Sequence, residues 1–269
     1  MSYRRKIRPK KSLGQHFLKD LSVAQKIADS IDMFADMPVL EVGPGTGILT
    51  QFLLKNKRDL SVVELDGESV EYLSKNYPQL AGKIIKGDFL KLDLSKIFSS
   101  SFCVIGNYPY NISSQIFFRI LDYKNLIPCC AGMIQKEVAE RISSQPGKKA
   151  YGIISVLLQV WYDIEYLFTV EPEVFDPPPK VKSAVIRMTR NKRTELECNE
   201  SLLRTVVKTT FNQRRKTMRN SLKNLIDKEN ELLSDSVFNK RPEQLSVAEF
   251  IELTNKIDQQ RELKLKIKD

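Results

Sequence analysis

The chain has 269 residues, 42% of them hydrophobic, and carries a formal net charge of +10. That length can bury one large core, or one core with a smaller appendage. The longest apolar stretch, near residues 153–161, is far shorter than the roughly 20 residues that span a bilayer, and the N-terminus lacks an apolar signal region. We therefore expect a cytoplasmic protein that is not bound to a membrane. We also expect a monomer.

Cysteine and histidine usage excludes several kinds of site. The four cysteines lack the paired spacing of a zinc site or of a small disulfide scaffold, so we interpret them as reduced packing residues. They are Cys103, Cys129, Cys130 and Cys198. His16 is the single histidine, which excludes a histidine-rich metal cluster. We expect no metal, and chemistry with little acid–base help.

The positive charge is concentrated in two segments. Residues 1–19 contain seven basic residues and no acidic one, and residues 201–226 contain seven more, again with no acidic one. Because these 14 charges exceed the net charge of +10, the rest of the chain carries about −4. Solvated tails are one interpretation. We favour the alternative, surfaces that bind a polyanion by releasing counterions from its phosphates.

From residue 38 to residue 133, short apolar runs alternate with amphipathic stretches. This pattern predicts strands joined by helices, and therefore a mainly parallel, open, doubly wound α/β sheet of the Rossmann-like kind. The predicted strands are 39–42, 60–63, 84–85 and 102–105, and the predicted helices are 48–55 and 69–76.

The remainder of the chain predicts a sheet edge and then a helical domain. Helices are expected at 136–143 and 151–161, and strands 166–170 and 184–188 flank the proline turn at 176–180 as a closing hairpin. After a polar linker, helical periodicity covers 201–225, 231–234 and 247–265, with Ser246 as N-cap of the last helix. The predicted domains are residues 1–195, with a basic N-terminal arm, and residues 201–269.

A glycine-rich turn follows the first predicted strand of the sheet. Gly43, Gly45 and Gly47 let the backbone approach a ligand closely at the start of a helix. The glycines fall at alternate positions, and Ile48 stands where a dinucleotide motif has its last small residue, which counts against a nicotinamide cofactor.

Carboxylates follow the next two strands. Glu64 lies 21 residues after Gly43, where it can accept hydrogen bonds from ribose hydroxyls. Asp88 follows the third strand, where the amine of an adenine would lie, although a single Asp there is commonly a turn residue. We interpret Asp66 as a surface charge. Because parallel strands end at one sheet edge, the series predicts a nucleoside-binding site.

The fourth strand is followed by Gly106-Asn-Tyr-Pro-Tyr110. A β-turn with an aromatic tip is the simplest interpretation. The exocyclic amine of adenine is a poor nucleophile, and the Asn107 side-chain carbonyl with the Tyr108 backbone carbonyl can accept its two hydrogens. Tyr110 can stack on a flipped base. A sulfonium methyl donor is already activated, so this chemistry needs no strong general base.

Together these motifs resemble the ribosomal RNA adenine dimethyltransferase family, and in particular its bacterial small-subunit enzymes. The resemblance covers essentially the whole chain. It rests on Gly14-Gln-His-Phe-Leu18, Glu41-Val-Gly-Pro-Gly45, Glu64, Asp88 and Asn107-Tyr-Pro-Tyr110, with further similar segments at 136–138, 175–184 and 211–217.

The resemblance implies dimethylation, with S-adenosylmethionine, of two adjacent adenines in the 3′-terminal hairpin loop of small-subunit (16S) rRNA. The substrate would be a partly assembled 30S particle. The implied cofactor-binding residues are His16, Leu18, Gly43, Gly45, Glu64, Asp88 and Asn107. The implied catalytic residues are Asn107, Tyr108, Pro109 and Tyr110. Residues 1–195 would bind the cofactor, and residues 201–269 would bind RNA or the ribosome.

Two positions depart from the family pattern. Position 16 is commonly Asn and is His here, which keeps a polar side chain but adds a titratable one. Position 108 is commonly aliphatic and is Tyr here. Its backbone carbonyl is unaffected, so we expect activity to survive.

A cluster of cations in the second basic segment is the predicted RNA contact. Its near-helical spacing would align it with a phosphate backbone while Phe211 and Met218 face the core. The cluster consists of Arg214, Arg215, Lys216 and Arg219.

Two other functions fit part of the pattern. DNA adenine and protein glutamine methyltransferases use a similar Asn-Pro-Pro-Tyr turn, but Tyr108 precedes Pro109 here and no target-recognition insert is evident. An assembly factor without methylation would also explain the basic segments. Intact Glu64, Asp88 and Asn107 argue against that function, and cofactor binding by the purified protein would discriminate.

Overall fold

The computed structural model describes residue 10, residues 14–226 and residues 230–268, with side chains described as far as residue 261. The chain forms two compact units: Met1–Ala139 with Asp163–Arg190, and Glu140–Tyr162 with Asn191–Asp269. The sequence pattern places residues 140–162 in the first domain, whereas in the structure they belong to the second unit. Within that unit the Tyr151 ring packs edge-on against Phe211, with the centroids 6.0 Å apart.

The first unit is built around a seven-stranded sheet. The spatial order is β4 (Ile84–Lys86), β3 (Leu60–Glu64), β2 (Val39–Val42), β5 (Cys103–Asn107), β6 (Cys129–Gln135), β9 (Ser183–Arg190) and β7 (Tyr162–Val170). The first five strands in this order are parallel, and β9 is antiparallel to β6. Every residue of β2 is buried, as expected of a parallel strand with helices on both faces.

Helices precede, connect and follow the parallel strands. Asp20 caps α1 (Leu21–Asp29), because its carboxylate accepts hydrogen bonds from the amides of Ser22 at 2.8 Å and Val23 at 3.2 Å. The helix predicted from residue 48 begins at Thr50, because the chain still turns through the glycine-rich segment before it. The helices are α1 (Leu21–Asp29), α2 (Thr50–Lys55), α3 (Gly67–Asn76), α4 (Leu94–Ile97), α5 (Ser113–Asp122) and α6 (Lys136–Ile142).

A two-stranded ribbon holds the N-terminal motif in place. β1 (Phe17–Leu18) pairs antiparallel with β8 (Phe175–Asp176), and the Lys19 amide donates to the Val174 carbonyl at 2.7 Å. β8 lies in the segment that connects β7 and β9, which are neighbours in the sheet, as the sequence predicts for a closing pair. The ribbon therefore brings the Gly14–Leu18 motif beside the proline turn.

The second unit is helical. It contains α7 (Ile153–Gln159), α8 (Glu200–Phe211), α9 (Met218–Ser221) and α10 (Val247–Lys268). The prediction of one helix over 201–225 is wrong, because residues 212–217 form turns between α8 and α9. Thr217 is extended, with φ −69° and ψ 160°, so the Met218 amide donates to the Lys240 carbonyl at 2.8 Å. This break leaves both Phe211 and Met218 buried, as predicted.

The last helix has the predicted cap. The Ser246 hydroxyl accepts from the Glu249 amide at 3.2 Å, and the Glu249 carboxylate accepts from the Ser246 amide at 2.8 Å, which is a capping box. Among the residues described here, no helix combines the length and the apolar character needed to cross a membrane.

Candidate active site

A cavity of about 290 Å³ opens at the carboxyl edge of the sheet in the first unit. It lies where β2, β3 and β5 end, which is the position at which open α/β sheets bind ligands. Every residue predicted to be catalytic or cofactor-binding lines this cavity. They are His16, Leu18, Gly43, Gly45, Glu64, Asp88, Asn107, Tyr108, Pro109 and Tyr110.

The glycine-rich turn is held between two aromatic rings. Gly43, Gly45 and Gly47 all have positive φ, between 55° and 80°. A Cβ at Gly47 would lie 2.4 Å from the Tyr77 ring, and one at Gly45 would lie 3.1 Å from the Phe17 ring. The Tyr77 hydroxyl also donates to the Gly47 carbonyl at 2.9 Å. Only glycine fits these positions, and the space beside Gly43 stays open to the cavity, since a Cβ there would meet no atom within 4 Å.

Glu64 is fixed at the end of β3 by backbone amides. One carboxylate oxygen accepts from the Gly45 amide at 3.0 Å and the other from the Asp66 amide at 2.9 Å. Burial raises the pKa of Glu64, and these two hydrogen bonds oppose that shift. The side chain thus couples the glycine-rich turn to the neighbouring strand.

The interpretation of Asp66 as a surface charge is wrong. Its side chain is 4% exposed, forms an ion pair with the Lys10 ammonium at 2.5 Å, and accepts from the Ser69 hydroxyl at 3.0 Å. Burial opposes ionisation, but the hydrogen bonds from Lys10 and Ser69 outweigh it and lower the pKa of Asp66. Asp66 therefore anchors Lys10, in the basic N-terminal segment, beside the cavity.

Glu41 is a buried acid near the end of β2. It lines the cavity from the end of β2 and is 1% exposed. The Thr50 hydroxyl donates to its carboxylate at 2.6 Å. Burial raises the pKa of Glu41 to about 8, because the hydrogen bond from Thr50 only partly compensates for lost hydration.

Asp88 is both a turn residue and a residue that lines the cavity. Its carboxylate accepts from the Leu90 amide at 3.0 Å, which is the hydrogen bond of an Asx turn. The side chain remains 30% exposed and lines the cavity. A turn residue here can therefore still present a carboxylate oxygen to a ligand.

The Asn107 amide has a defined orientation. Its Nδ2 donates to the backbone carbonyl of His16 at 3.2 Å. Because a carbonyl can only accept, the nitrogen must face His16, and the Oδ1 acceptor is left for a ligand in the cavity. The N-terminal motif thus orients the side chain at the end of β5.

The Tyr108 side chain points into the protein core. It is 1% exposed, and its hydroxyl donates to the Ala131 carbonyl at 2.9 Å. The ring fills a space left by two glycines, since a Cβ at Gly106 or Gly132 would come within 2.9 Å or 2.6 Å of it. Phe117 packs against the ring edge-on, with a centroid distance of 5.9 Å. The tyrosine anchors the turn while its backbone remains at the cavity.

Tyr110 and His16 form an aromatic wall of the cavity. Their rings stack with a centroid distance of 5.5 Å and an interplanar angle of 25°. The Tyr110 hydroxyl is hydrogen-bonded to the Ser183 hydroxyl. His16 Nδ1 donates to the Pro177 carbonyl at 2.8 Å, which fixes the proton on that nitrogen. The sequence gives no short-range signal for Ser183 or Pro177, because both come from the far end of the unit.

Comparison with known proteins identifies the family. Residues 6–259 match the sequence model of a family described as ribosomal RNA adenine dimethylase. The chain belongs to this family. A relative in Parabacteroides distasonis, named ribosomal RNA small subunit methyltransferase A, is 67% identical over 250 residues, which are 93% of this chain and 94% of the relative. The predicted family, and the methyltransferase class that goes with it, are confirmed.

Solved structures support the predicted fold. A dimethyladenosine transferase from Plasmodium falciparum has a TM-score of 0.77 at 22% identity, covering 91% of this chain and 98% of that one. The 23S rRNA methyltransferase ErmE has a TM-score of 0.66 at 24% identity, covering 89% and 99%. These likenesses concern the fold alone, and they confirm the Rossmann-like methyltransferase architecture.

The two departures from the pattern of rRNA adenine dimethylases have structural explanations. At position 16 the group that contacts Asn107 is a backbone carbonyl, which histidine supplies as well as asparagine does. At position 108 the large side chain is accommodated beside Gly106 and Gly132 in the core.

The four predicted RNA-binding residues lie in the second unit, but they do not form one helical row. Arg214, Arg215 and Lys216 lie in the turns after α8, and Arg219 lies in α9. The Arg219 guanidinium donates to the Leu233 carbonyl, and that of Arg214 donates to the Lys148 carbonyl at 3.2 Å. Arg215 and Lys216 are exposed. The expected near-helical alignment is therefore wrong, because the chain turns after Phe211.

Proposed function

We propose that this rRNA adenine dimethylase uses S-adenosylmethionine to dimethylate the exocyclic amines of two adjacent adenines in the 3′-terminal hairpin loop of 16S rRNA. It acts as a monomer in the cytoplasm, on a partly assembled 30S particle. The observation that carries the proposal is the Asn107 amide, oriented by the His16 carbonyl so that its oxygen faces a nucleoside-sized cavity.

The residues around the cavity fit this cofactor. Open space beside Gly43 admits a ligand close to the backbone, and the carboxylates of Glu64 and Asp88 line the same cavity. Two carboxylates at the ends of neighbouring strands suit a ligand with a ribose and an adenine amine. When bound, S-adenosylmethionine supplies a methyl group already activated on a sulfonium sulfur. Glu64 would bind the ribose, and Asp88 the adenine.

The catalytic turn prepares the acceptor amine. The Asn107 Oδ1 and the Tyr108 backbone carbonyl accept the two hydrogens of the target amine, which directs its lone pair into the cavity. Pro109 restricts the backbone that follows Tyr108, and the Tyr110 ring stacks on the flipped adenine. The buried Tyr108 side chain keeps the Tyr108 backbone carbonyl in position at the cavity. Loop bases are already partly unstacked, which lowers the cost of flipping.

The test is methyl transfer to 30S particles that lack the modification. Purified protein and labelled cofactor are incubated with these particles and, in parallel, with fully methylated ones. We expect label only in the unmodified particles, with primer-extension stops at two adjacent adenines of the hairpin loop. Label at other positions would refute the proposed substrate. Tight particle binding without any label, in protein shown to bind cofactor, would favour the assembly-factor function instead.

A further inference from the structure

Five basic residues of the second unit lie in two turns that are joined to each other. One turn is residues 212–217, and the other is residues 144–150, between α6 and α7. The Arg214 guanidinium donates to the Lys148 carbonyl at 3.2 Å, and the Gly147 amide donates to the Glu243 carbonyl at 2.6 Å. The two turns therefore form one continuous part of the surface.

The Arg214 side chain contacts other residues of the second unit. In addition to the Lys148 carbonyl, its Nε lies 3.7 Å from a carboxylate oxygen of Glu243. That carboxylate is only 22% exposed, so its charge balances the guanidinium at the base of the two turns. Arg214 thus ties the turns together, and the Glu243 carboxylate offsets part of its charge.

Four other cations project from the two turns. Lys148, Lys149, Arg215 and Lys216 are exposed. The Lys216 ammonium donates to the Gln213 side chain at 3.2 Å. Among the described residues, the side chains of the other three cations form no ion pair and no hydrogen bond. Neither turn contains an acidic residue or an aromatic one. Cations without stacking rings are suited to a phosphate backbone and cannot distinguish bases.

We propose that Lys148 and Lys149 bind RNA phosphates together with Arg215 and Lys216, and that Arg214 is a positioning residue that holds the two turns in register. The proposal rests on the proposed function for the identity of the partner, small-subunit RNA. It adds a second RNA-binding turn and reassigns Arg214 from a phosphate contact to a tie between turns.

The experiment is a salt titration of binding to 30S particles that lack the modification. The variant K148Q/K149Q is compared with wild type and with K55Q/K57Q, a matched pair of exposed lysines on the first unit. We expect K148Q/K149Q to bind roughly tenfold more weakly at low salt. The slope of log affinity against log salt should fall by about 1 for each lost contact. The K55Q/K57Q control should behave as wild type.

Arg214 is tested by R214K, which keeps the charge, beside R215K. If Arg214 ties the turns, R214K should weaken particle binding severalfold, whereas R215K should have little effect. Hydrogen exchange at the amides of residues 147–151 should speed up in RNA-free R214K and stay unchanged in R215K. Equal binding and equal exchange in the two variants would overturn the positioning role.

The outcomes separate the two proposals. If wild type neither binds nor methylates the particles, the proposed function fails. If wild type does both while K148Q/K149Q matches the K55Q/K57Q control, only the second RNA-binding turn fails. Weaker binding by K148Q/K149Q with an unchanged salt slope would also overturn it, because lost phosphate contacts must reduce counterion release.

Discussion

The cavity of the first unit and the basic turns of the second unit present their charges in opposite ways. In the cavity, Glu64 is buried and receives two backbone amides, so its position depends on individual hydrogen bonds. In the turns, Lys148 and Arg215 are exposed and act through their summed charge. Salt screens exposed charges strongly and buried charges weakly. Salt should therefore weaken binding at the basic turns and have little effect on binding in the cavity.

The largest effect is expected from Asn107→Ala. Without the oriented Oδ1 the amine keeps its lone pair conjugated, so methylation should fall by about a hundred- to a thousandfold, on the scale of losing an oriented transition-state contact. Cofactor affinity should change by no more than a few-fold. Steady-state methylation and calorimetric cofactor binding measure the two.

The control for this variant is Asn76→Ala, because Asn76 also donates its amide to a backbone carbonyl, that of Tyr72, but lies on an exposed helix end. It should keep full activity. The loss in Asn107→Ala should be equal at low and high salt. Full activity in Asn107→Ala would contradict the role of the amide.

Glu64→Gln should weaken cofactor binding by about ten- to a hundredfold. Glutamine replaces one carboxylate oxygen by an NH₂ group and removes the charge, so a ribose hydroxyl loses a charge-assisted hydrogen bond worth about 1.5–3 kcal/mol. Binding is measured by calorimetry across a salt series. A weakening that disappears at high salt would mean that the cavity depends on net charge, and the contrast with the basic turns would collapse.

Tyr108→Phe should have a moderate effect. It leaves the buried Ala131 carbonyl without its side-chain donor, so the free energy of unfolding should fall by about 1–3 kcal/mol. Because the anchor of the turn loosens, kcat should fall severalfold while cofactor affinity is unchanged. Tyr166→Phe, which removes a hydroxyl bonded to Thr169 on an exposed strand, is the control. Equal effects in both variants would refute an anchoring role.

Glu41→Gln should have the smallest effect on methylation but a clear effect on the pH dependence of stability. The pKa of Glu41 is near 4.5 when unfolded and about 8 when folded, so the folded state holds the proton more tightly. Its stabilising contribution is complete below pH 4.5 and is lost as the pH rises through 8, by up to about 1.4 kcal/mol per pH unit.

The measurement for Glu41 is the free energy of unfolding in urea at pH 5, 6.5 and 8. Wild type should lose stability across this range, with a smaller contribution of the same sign from Glu64, whose pKa is also raised. Glu41→Gln should show a flatter profile. Identical slopes in the two proteins would show that Glu41 is ionised in the folded state.

The sequence predicted the position of the cavity because local rules determine it. Hydrophobic runs locate the strands, and parallel strands must end at one edge, so Glu64, Asp88 and Asn107 had to meet there. The capping box at Ser246 is equally local, since both partners lie within four residues.

The features that the sequence did not predict depend on distant partners. Asp66 is buried by Lys10, 56 residues away, and the break before α9 depends on the carbonyl of Lys240. Tyr108 is buried because Gly106 and Gly132 face each other on adjacent strands. No window of the sequence contains these pairs together, so periodicity and turn chemistry cannot reveal them.

The most direct test of the central claim is nucleoside mass spectrometry of 16S rRNA. Particles that lack the modification are incubated with the purified protein and S-adenosylmethionine, and their rRNA is digested to nucleosides. We predict that dimethyladenosine appears at about two residues per particle and is absent with Asn107→Ala. Its absence with wild-type protein that binds the cofactor would contradict the claim that the cavity dimethylates adenine.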